Sequence, residues 1–328
     1  MAARSDGKDA AFRWLVLATI VATYGLIVVG GIVRATGSGD ACPDWPRCHG
    51  ELIPPLERDV LIEFSHRLLA SLVGVLVLAT AFGAWRWQRH NPIVRWGSLA
   101  TVGLVGAQVV LGGVTVLSDL PSSMVMAHLA LASMILAVLI GVAFAALPAL
   151  DVERRPEAAR AASFRNIALV SALATLALML SGSYVSGSGA GLAFRDWPLF
   201  DGSLMPEGGR LAMIHATHRF LAGAVGLLLA FVAVRAWQWG YRPAVAMSSV
   251  AFVLYVAQAM VGAANIWTLL QPAASGAHLA LAVLLWAALV SMTLHMQRAL
   301  PAGARRGRPV TAPAPGPTRA AVPAQEAR

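Results

Sequence analysis

Two residues able to do chemistry stand at the start of the second long apolar stretch, in the sequence Glu63-Phe64-Ser65-His66-Arg67. If this stretch is helical, Glu63 and His66 lie three residues apart and share one face. Imidazole is a common ligand of iron, and a carboxylate in a membrane helix is costly enough to suggest a function. An interfacial carboxylate beside a hydrogen-bonded histidine would explain the pair equally well, so the rest of the chain has to decide.

The composition predicts an all-α integral membrane protein. Of the 328 residues, 58% are hydrophobic and only 12% are charged, with a mean hydropathy of +0.67. Eight apolar stretches are each long enough to cross about 30 Å of hydrocarbon. The first has no small-residue cleavage site at its end, so we expect a retained helix instead of a signal peptide. The predicted spans are 14–33, 61–84, 96–117, 123–147, 166–186, 212–235, 244–267 and 274–297.

The basic residues predict how these spans are oriented. Most of the 25 lysines and arginines lie in the N-terminus and in segments 85–95, 148–165, 235–243 and 298–328. Such residues favour the cytoplasmic side of the cell membrane. We therefore expect both termini on the cytoplasmic side and two long loops, 34–60 and 187–211, on the external side. This topology accounts for the net charge of +9, and no nucleic-acid partner is required.

The two halves of the chain repeat each other at a nearly constant offset of 150 to 152 residues. Each half contains four spans, and an even number keeps both halves in the same orientation. We therefore expect two tandem, pseudo-symmetric four-helix bundles related as parallel repeats. The matches are Asp44-Trp45-Pro46 with Asp196-Trp197-Pro198, His66-Arg67 with His218-Arg219, Gln108 with Gln258, and residues 127–132 with 277–282.

The repeat selects four of the eight histidines, His66, His128, His218 and His278. Each lies at a similar depth inside the external end of its span, so the first two can face each other, as can the last two. Paired imidazoles at one depth in a bundle can clamp a haem iron. A different metal, a proton relay and helix–helix hydrogen bonds remain alternatives for one pair, but two equivalent pairs favour haem.

Other residues of the external side distinguish the two halves. His215 occupies the position equivalent to Glu63, which suggests that one site reacts and the other assists. Cys42 and Cys48 occur in the first half only, with Leu192 or a neighbour and Phe200 in their places. Outside the cell a disulfide can persist, and both a structural staple and a dithiol that exchanges with a partner are open. His49 is expected to be exposed, and His90 and His295 need no role.

These motifs together resemble the haem A synthase family, in its subgroup with a cysteine pair in the first external loop. The resemblance covers about residues 13–297 and rests on the motif 30–39, the Cys42/Cys48 loop, Glu63-Phe64-Ser65-His66-Arg67 and the duplicated Ala-His-Leu-Ala. It implies that the enzyme oxidises a ring methyl of haem O to a formyl group by successive hydroxylations. Glu63 would be catalytic, and the cysteines would form the family's disulfide or redox pair.

The resemblance also assigns a haem to each bundle. His66 and His128 would bind the iron of the substrate haem O, and His218 and His278 that of a haem b cofactor. Arg67 and Arg219 follow two of these ligands and could pair with haem propionates. The predicted domains are the cytoplasmic N-terminus 1–12, the substrate bundle 13–147, a cytoplasmic linker 148–165, the haem b bundle 166–297 and a disordered tail 298–328.

The residues leave two other classes of protein to consider. A dihaem membrane cytochrome carrying electrons from quinol would use the same ligands, but it would place its haems near opposite faces. A transporter would normally interrupt its spans near the midplane, and the glycines here are weak signs of that. The electron donor, contact with the farnesyltransferase that makes haem O, and assembly into a homo-oligomer are not decided by the sequence.

Overall fold

The protein is described here by a computed structural model covering residues 2–51, 53–148 and 156–300, with residues 2–6 as backbone only. Within these ranges it consists of eight long helices and two short 3-10 turns, and each long helix is apolar enough to cross a membrane. Residues 301–328 of the predicted tail and residues 149–155 of the predicted linker lie outside the described residues, whereas 298 and 299 belong to the last helix. The helices are α1 Ala2–Thr36, α2 Arg58–Trp87, α3 Pro92–Leu117, α4 Ser122–Ala146, α5 Ala158–Gly187, α6 Arg210–Trp239, α7 Arg242–Trp267 and α8 Pro272–Ala299.

Proline and glycine mark several of the helix ends. Pro92 begins α3, where its missing N–H costs nothing, and the Asn91 side chain accepts a hydrogen bond from the Val94 N–H at 3.3 Å. Pro272 begins α8 in the same way. Gly240 ends α6 in the left-handed conformation, at φ 72°, which glycine adopts without steric cost. Residues at the helix ends therefore determine where the short connections α2–α3 and α6–α7 lie.

The eight helices form two bundles, in each of which four helices pack side by side in a closed circle. In the first bundle, α1 packs on α2, α2 on α3, α3 on α4 and α4 on α1; α5 to α8 repeat this order. The two bundles contact each other where α1 packs on α8, α5 packs on α4, and α4 packs on α8. Exchanging the halves maps this interface onto itself, as a two-fold axis along the membrane normal requires. The predicted fold class, two tandem pseudo-symmetric four-helix bundles, is confirmed.

A cluster of buried apolar side chains joins the two bundles. Ile27 of α1, Leu136 of α4, Met179 of α5 and Trp286 of α8 are all buried in it. The Tyr24 hydroxyl also donates a hydrogen bond to the Ala280 carbonyl at 3.1 Å, which links α1 to α8. This part of the core lies along the interface between the bundles, and separate buried clusters lie within the second and the first bundle.

The outward faces of the helices are apolar and exposed. Val75 is 63% exposed and Leu227 is 76% exposed, each near the middle of a long helix. A water-soluble protein rarely leaves such broad apolar surfaces uncovered, whereas a bilayer covers them. The protein is a multi-pass membrane protein.

Candidate haem and carboxylate site

The four histidines of the repeat lie at one level in the two bundles. His66 follows the start of α2 at Arg58 by eight residues, and His218 follows the start of α6 at Arg210 by the same number. His128 and His278 each lie six residues after the first residue of α4 and of α8. At 1.5 Å per residue these positions are about 9–12 Å from the helix starts. All four helices begin at the same end of the molecule, so the imidazoles share a depth.

Each imidazole lies directly against a glycine of a neighbouring helix. A Cβ atom added to that glycine would stand 3.0 or 3.1 Å from a ring atom, closer than almost any real Cβ contact. These glycines therefore allow the histidine rings to lie over the neighbouring backbone, and they follow the same repeat as the histidines. The pairs are Gly30 with His66, Gly112 with His128, Gly182 with His218 and Gly262 with His278.

The histidines face each other in pairs within each bundle. His66 lies within electrostatic range of His128, and His218 within range of His278. All four histidine residues are partly exposed. The Ser181 hydroxyl lies 2.8 Å from His218 Nδ1, which orients that ring.

These surroundings fit a haem. Nδ1 of His128 and of His278 is buried without a hydrogen-bond partner, as is the side-chain oxygen of Gln108 and of Gln258. Among the described residues there is no group of three or more histidine, cysteine, aspartate or glutamate side chains placed to hold a metal ion. Two opposed imidazoles are the ligands of a bis-histidine haem, whereas zinc requires more protein ligands. The donor set therefore fits haem iron.

Glu63 is held by two charge-assisted contacts on the face of α2 that carries His66. Its side chain is buried, with the residue 3% exposed. Oε2 accepts a hydrogen bond from the Cys42 N–H at 2.8 Å, and Oε1 accepts two from Arg67, at 2.5 and 3.1 Å. A buried carboxylate is stable as an anion when it is paired and hydrogen-bonded in this way. The Cys42 N–H and Arg67 thus fix both carboxylate oxygens of Glu63 on the His66 face of α2.

Arg67 fastens the first external loop to α2. Besides its two bonds to Glu63, its guanidinium donates to the carbonyls of Cys42 at 2.9 Å, Asp44 at 2.8 Å and Arg47 at 2.6 Å. A guanidinium has five N–H donors, and these contacts use all of them. The sequence predicted Arg67 as a propionate partner, but in this conformation every donor is already engaged with the protein.

Arg219 repeats this arrangement in the second half. It donates to the carbonyls of Asp196 at 2.9 Å and Leu199 at 2.6 Å, and its Nε–H points to Nε2 of His215 at 3.2 Å. His215, 5% exposed, thus takes the structural place of Glu63 as the sequence repeat predicts. The arginine and the loop it holds are shared by both halves, whereas the buried carboxylate belongs to the first half alone.

The two cysteines form a disulfide that is enclosed by the loop. Cys42 and Cys48 are bonded, both are at most 1% exposed, and they pack on Val60 and Phe64. A partner thiolate could not reach these sulfurs unless the loop opened, so the folded state favours the structural staple.

The structure specifies the residue that replaces Cys42 in the second half. Among Leu192 and its neighbours it is Phe194, because Phe194 and Phe200 contact each other with ring centroids 4.9 Å apart. Arg219 lies over both rings, at 5.5 and 5.3 Å from their centroids. An aromatic pair therefore fills the space that the disulfide fills in the first half. The 152-residue offset of the Asp-Trp-Pro motif gives the same register.

The Asp-Trp-Pro motif itself has a structural role that sequence reasoning missed. Asp44 accepts hydrogen bonds from the backbone N–H groups of His49 at 2.6 Å and Gly50 at 2.7 Å. Asp196 accepts the equivalent bonds from Asp201 and Gly202, both at 2.7 Å. These backbone bonds hold the pKa of both aspartates below the ordinary value. The stability that the ionised aspartates give to the two loops is present at neutral pH. It is lost only as the pH falls through the lowered pKa. The sequence does contain a sign of this turn, because a glycine follows each aspartate by six residues.

The chain is similar to known proteins over most of its length. The family model described as cytochrome oxidase assembly protein matches residues 13–61 and 57–290. A protein of Rhizorhabdus wittichii named heme A synthase is 29% identical, over 88% of this chain and 94% of its own length. Proteins of the same name from Alkalihalophilus pseudofirmus, 28% identical over 85% of this chain and 96% of theirs, and from Methylobacterium radiotolerans, 29% identical over 90% and 89%, are also similar. These matches span both bundles and confirm the resemblance seen in the motifs: the chain belongs to the cytochrome oxidase assembly protein family.

Proposed function

We propose that this protein is a haem A synthase, which oxidises a ring methyl of haem O to a formyl group. The observation that carries the proposal is the asymmetry between two otherwise equivalent sites. Both bundles present a pair of histidines cradled by glycines, but only the first places a buried carboxylate, Glu63, one turn from a histidine. One bundle is thus equipped to react and the other to hold a haem. The similarity to proteins named heme A synthase supports this choice of chemistry.

The first bundle is the substrate site. His66 and His128 hold the iron of haem O, and the haem then lies near the carboxylate of Glu63. Two histidines on one iron leave no open position for oxygen. Either one ligand leaves during turnover and dioxygen serves as the oxidant, or each hydroxylation takes its oxygen from water and releases two protons and two electrons, the electrons passing to an external acceptor. In both schemes the methyl becomes a hydroxymethyl and then a gem-diol, which loses water to give the formyl group.

Glu63 handles the proton and the charge of these steps. As an anion it can accept a proton from an attacking water, or stabilise positive charge that develops at the methyl carbon. The Cys42 N–H and the Arg67 guanidinium hold both carboxylate oxygens, so the group does not have to reorganise during the reaction. Arg67 is therefore a positioning residue for Glu63.

The second bundle holds haem b as a resident cofactor. His218 and His278 are the ligands, and Ser181 orients the ring of His218. When bound, haem b supplies one-electron transfer next to the substrate site. His215 replaces the carboxylate with a neutral, buried side chain, so this bundle lacks the group that handles the reaction's protons.

The orientation in the cell membrane follows from the positive residues. Both termini are cytoplasmic, and the histidines lie toward the external face together with the disulfide loop. This placement supports the synthase over the alternative function, an electron-carrying dihaem cytochrome, because all four histidines lie at one end of the bundles. A carrier across the bilayer would separate its haems along the membrane normal.

Coexpression with a haem O source tests the proposal. Haems extracted from the purified protein with acid–acetone are resolved by chromatography and identified by mass. We expect haem A together with haem b. Haem b alone, at two per chain and with no haem A or hydroxylated haem O, would contradict the synthase and support the electron carrier.

The glycine cradle predicts a sharp difference between two glycine substitutions in the second bundle. Gly262→Ala on α7 places a methyl 3.0 Å from the His278 ring, so the ring must shift by a few tenths of an ångström. Gly223→Ala on α6 meets no atom within 4 Å. We expect Gly262→Ala to lose most of its haem b, measured as pyridine haemochrome per chain, and Gly223→Ala to keep it. Equal haem contents in the two variants would show that the cradle does not position the ligand.

A further inference from the structure

A basic cleft opens between α5 and α6 at the end of the second bundle opposite to the histidines. Its volume is about 270 Å³, slightly below the range of typical small-molecule sites, about 300–1,000 Å³. The floor is aromatic, with the rings of Phe164 and Trp239 centred 5.5 Å apart. The rim is polar and carries Arg160, Ser163, Arg235 and Gln238.

The two arginines of this cleft are only weakly engaged with the protein. Arg160 pairs with Glu157 at 3.2 Å, but both side chains are about two-thirds exposed, and such surface pairs contribute little. Arg235 donates a long hydrogen bond of 3.5 Å to Gln238. Arg165 at the same end, by contrast, donates a bond of 2.7 Å to Gln297. Arg160 and Arg235 therefore retain donors that an anion can use.

The equivalent place in the first bundle is closed. The repeat offset puts Gly83 in the position of Arg235, and Phe12 and Trp87 in the positions of Phe164 and Trp239. A Cβ atom on Gly83 would lie 3.1 Å from both of those rings, so they already fill the space. The second half keeps the aromatic floor and adds an arginine above it. The cleft is thus a feature of one half and does not follow from the repeat.

We propose that this cleft binds the phosphate headgroup of an anionic lipid. Arginine guanidinium groups pair with phosphate through parallel charge-assisted hydrogen bonds, and Ser163 and Gln238 add neutral donors. Basic pockets between membrane helices commonly bind such headgroups, and the tryptophan lies at the level that interfacial aromatics prefer. The volume suits a headgroup, with the acyl chains lying along the apolar faces of α5 and α6. This inference does not depend on the haem chemistry.

Native mass spectrometry of the full chain, released from phosphatidylcholine vesicles containing a minority of phosphatidylglycerol, tests the proposal. We expect the wild type to retain phosphatidylglycerol preferentially and the double variant Arg160→Ala/Arg235→Ala to lose most of this excess. Arg86→Ala is the matched control, because Arg86 is exposed at the equivalent end of α2. Haem content, measured in the same samples, verifies that each variant is folded.

Three outcomes would overturn the proposal. The double variant could retain as much phosphatidylglycerol as the wild type, or Arg86→Ala could lose as much as the double variant. Inorganic phosphate at a concentration matched to the headgroup could also displace the lipid completely, which would identify a site for a free anion. If Arg235→Lys retains part of the preference, the result supports a contact with phosphate that depends on charge and is strengthened by the planar guanidinium.

Discussion

Replacing Glu63 by alanine should stop the conversion of haem O while the resident haem b stays bound. The carboxylate lies at the first histidine pair only, and it has no contact with the second bundle among the described hydrogen bonds. General acid–base catalysis typically contributes about 10²- to 10⁴-fold, so we expect the turnover rate to fall by at least about 100-fold. Extracted haems should contain haem O, or a hydroxylated intermediate, in place of haem A.

Two further variants separate the charge of Glu63 from its position. Glu63→Gln keeps an oxygen that can accept from the Cys42 N–H but removes the negative charge, so we expect it to be nearly as inactive as alanine. Arg67→Lys keeps a positive charge but cannot make the five hydrogen bonds that the guanidinium donates to Glu63 and three loop carbonyls. It should lower the turnover rate, shift the pH profile of the reaction, and leave haem b in place.

Glu57→Ala is the matched control for these variants. Glu57 is an exposed carboxylate immediately before α2, at the same end of the molecule as Glu63. Its removal should leave the turnover rate unchanged. Full turnover in Glu63→Ala with bound haem O would show that the carboxylate does not take part in the reaction.

Removing the histidine ligands should have opposite effects in the two bundles. His218→Ala or His278→Ala should leave the purified protein almost without haem b, because each would remove one of the two histidines proposed to hold it. His66→Ala or His128→Ala should retain haem b at the wild-type level but fail to make haem A. The equal depth of the four side chains and the equivalent glycine at each ring make the four substitutions a matched set.

Haem b content and its optical spectrum measure the first effect, and haem A yield measures the second. Loss of haem b in all four variants would mean that both bundles hold the same haem, and the assignment of a substrate site would be wrong. Retention of haem b in His218→Ala would place the cofactor elsewhere.

Much of the architecture could be predicted because two strong physical patterns coincide in this sequence. Apolar stretches of membrane-spanning length predicted the helices, and the internal repeat predicted their arrangement in two bundles. The same repeat selected His66, His128, His218 and His278, because equal offsets place equivalent residues at equal depths. Contacts between the halves were less accessible, since the apolar residues of α4 and α8 do not differ in type from those that face lipid.

The details of the site depended on the path of the external loop, which no periodic pattern predicts. Sequence alone could suggest Arg67 as a propionate partner, but its engagement with Glu63 and three loop carbonyls depends on the conformation of residues 42–47. The glycines beside the histidines were hidden for a related reason. Glycine is common in membrane helices, and only the three-dimensional packing shows which glycines lie under an imidazole.

The most direct test of the account starts with protein purified from cells that make haem b but no haem O. Haem per chain is counted, haem O is then added with an electron-transfer system, and the haems are extracted after reaction and identified by mass. We predict one haem b per chain at the start, uptake of haem O, and formation of haem A while haem b stays unchanged in amount. Two haems b per chain that do not exchange with haem O, or haem A formed at the expense of haem b, would contradict a substrate site in one bundle and a resident cofactor in the other.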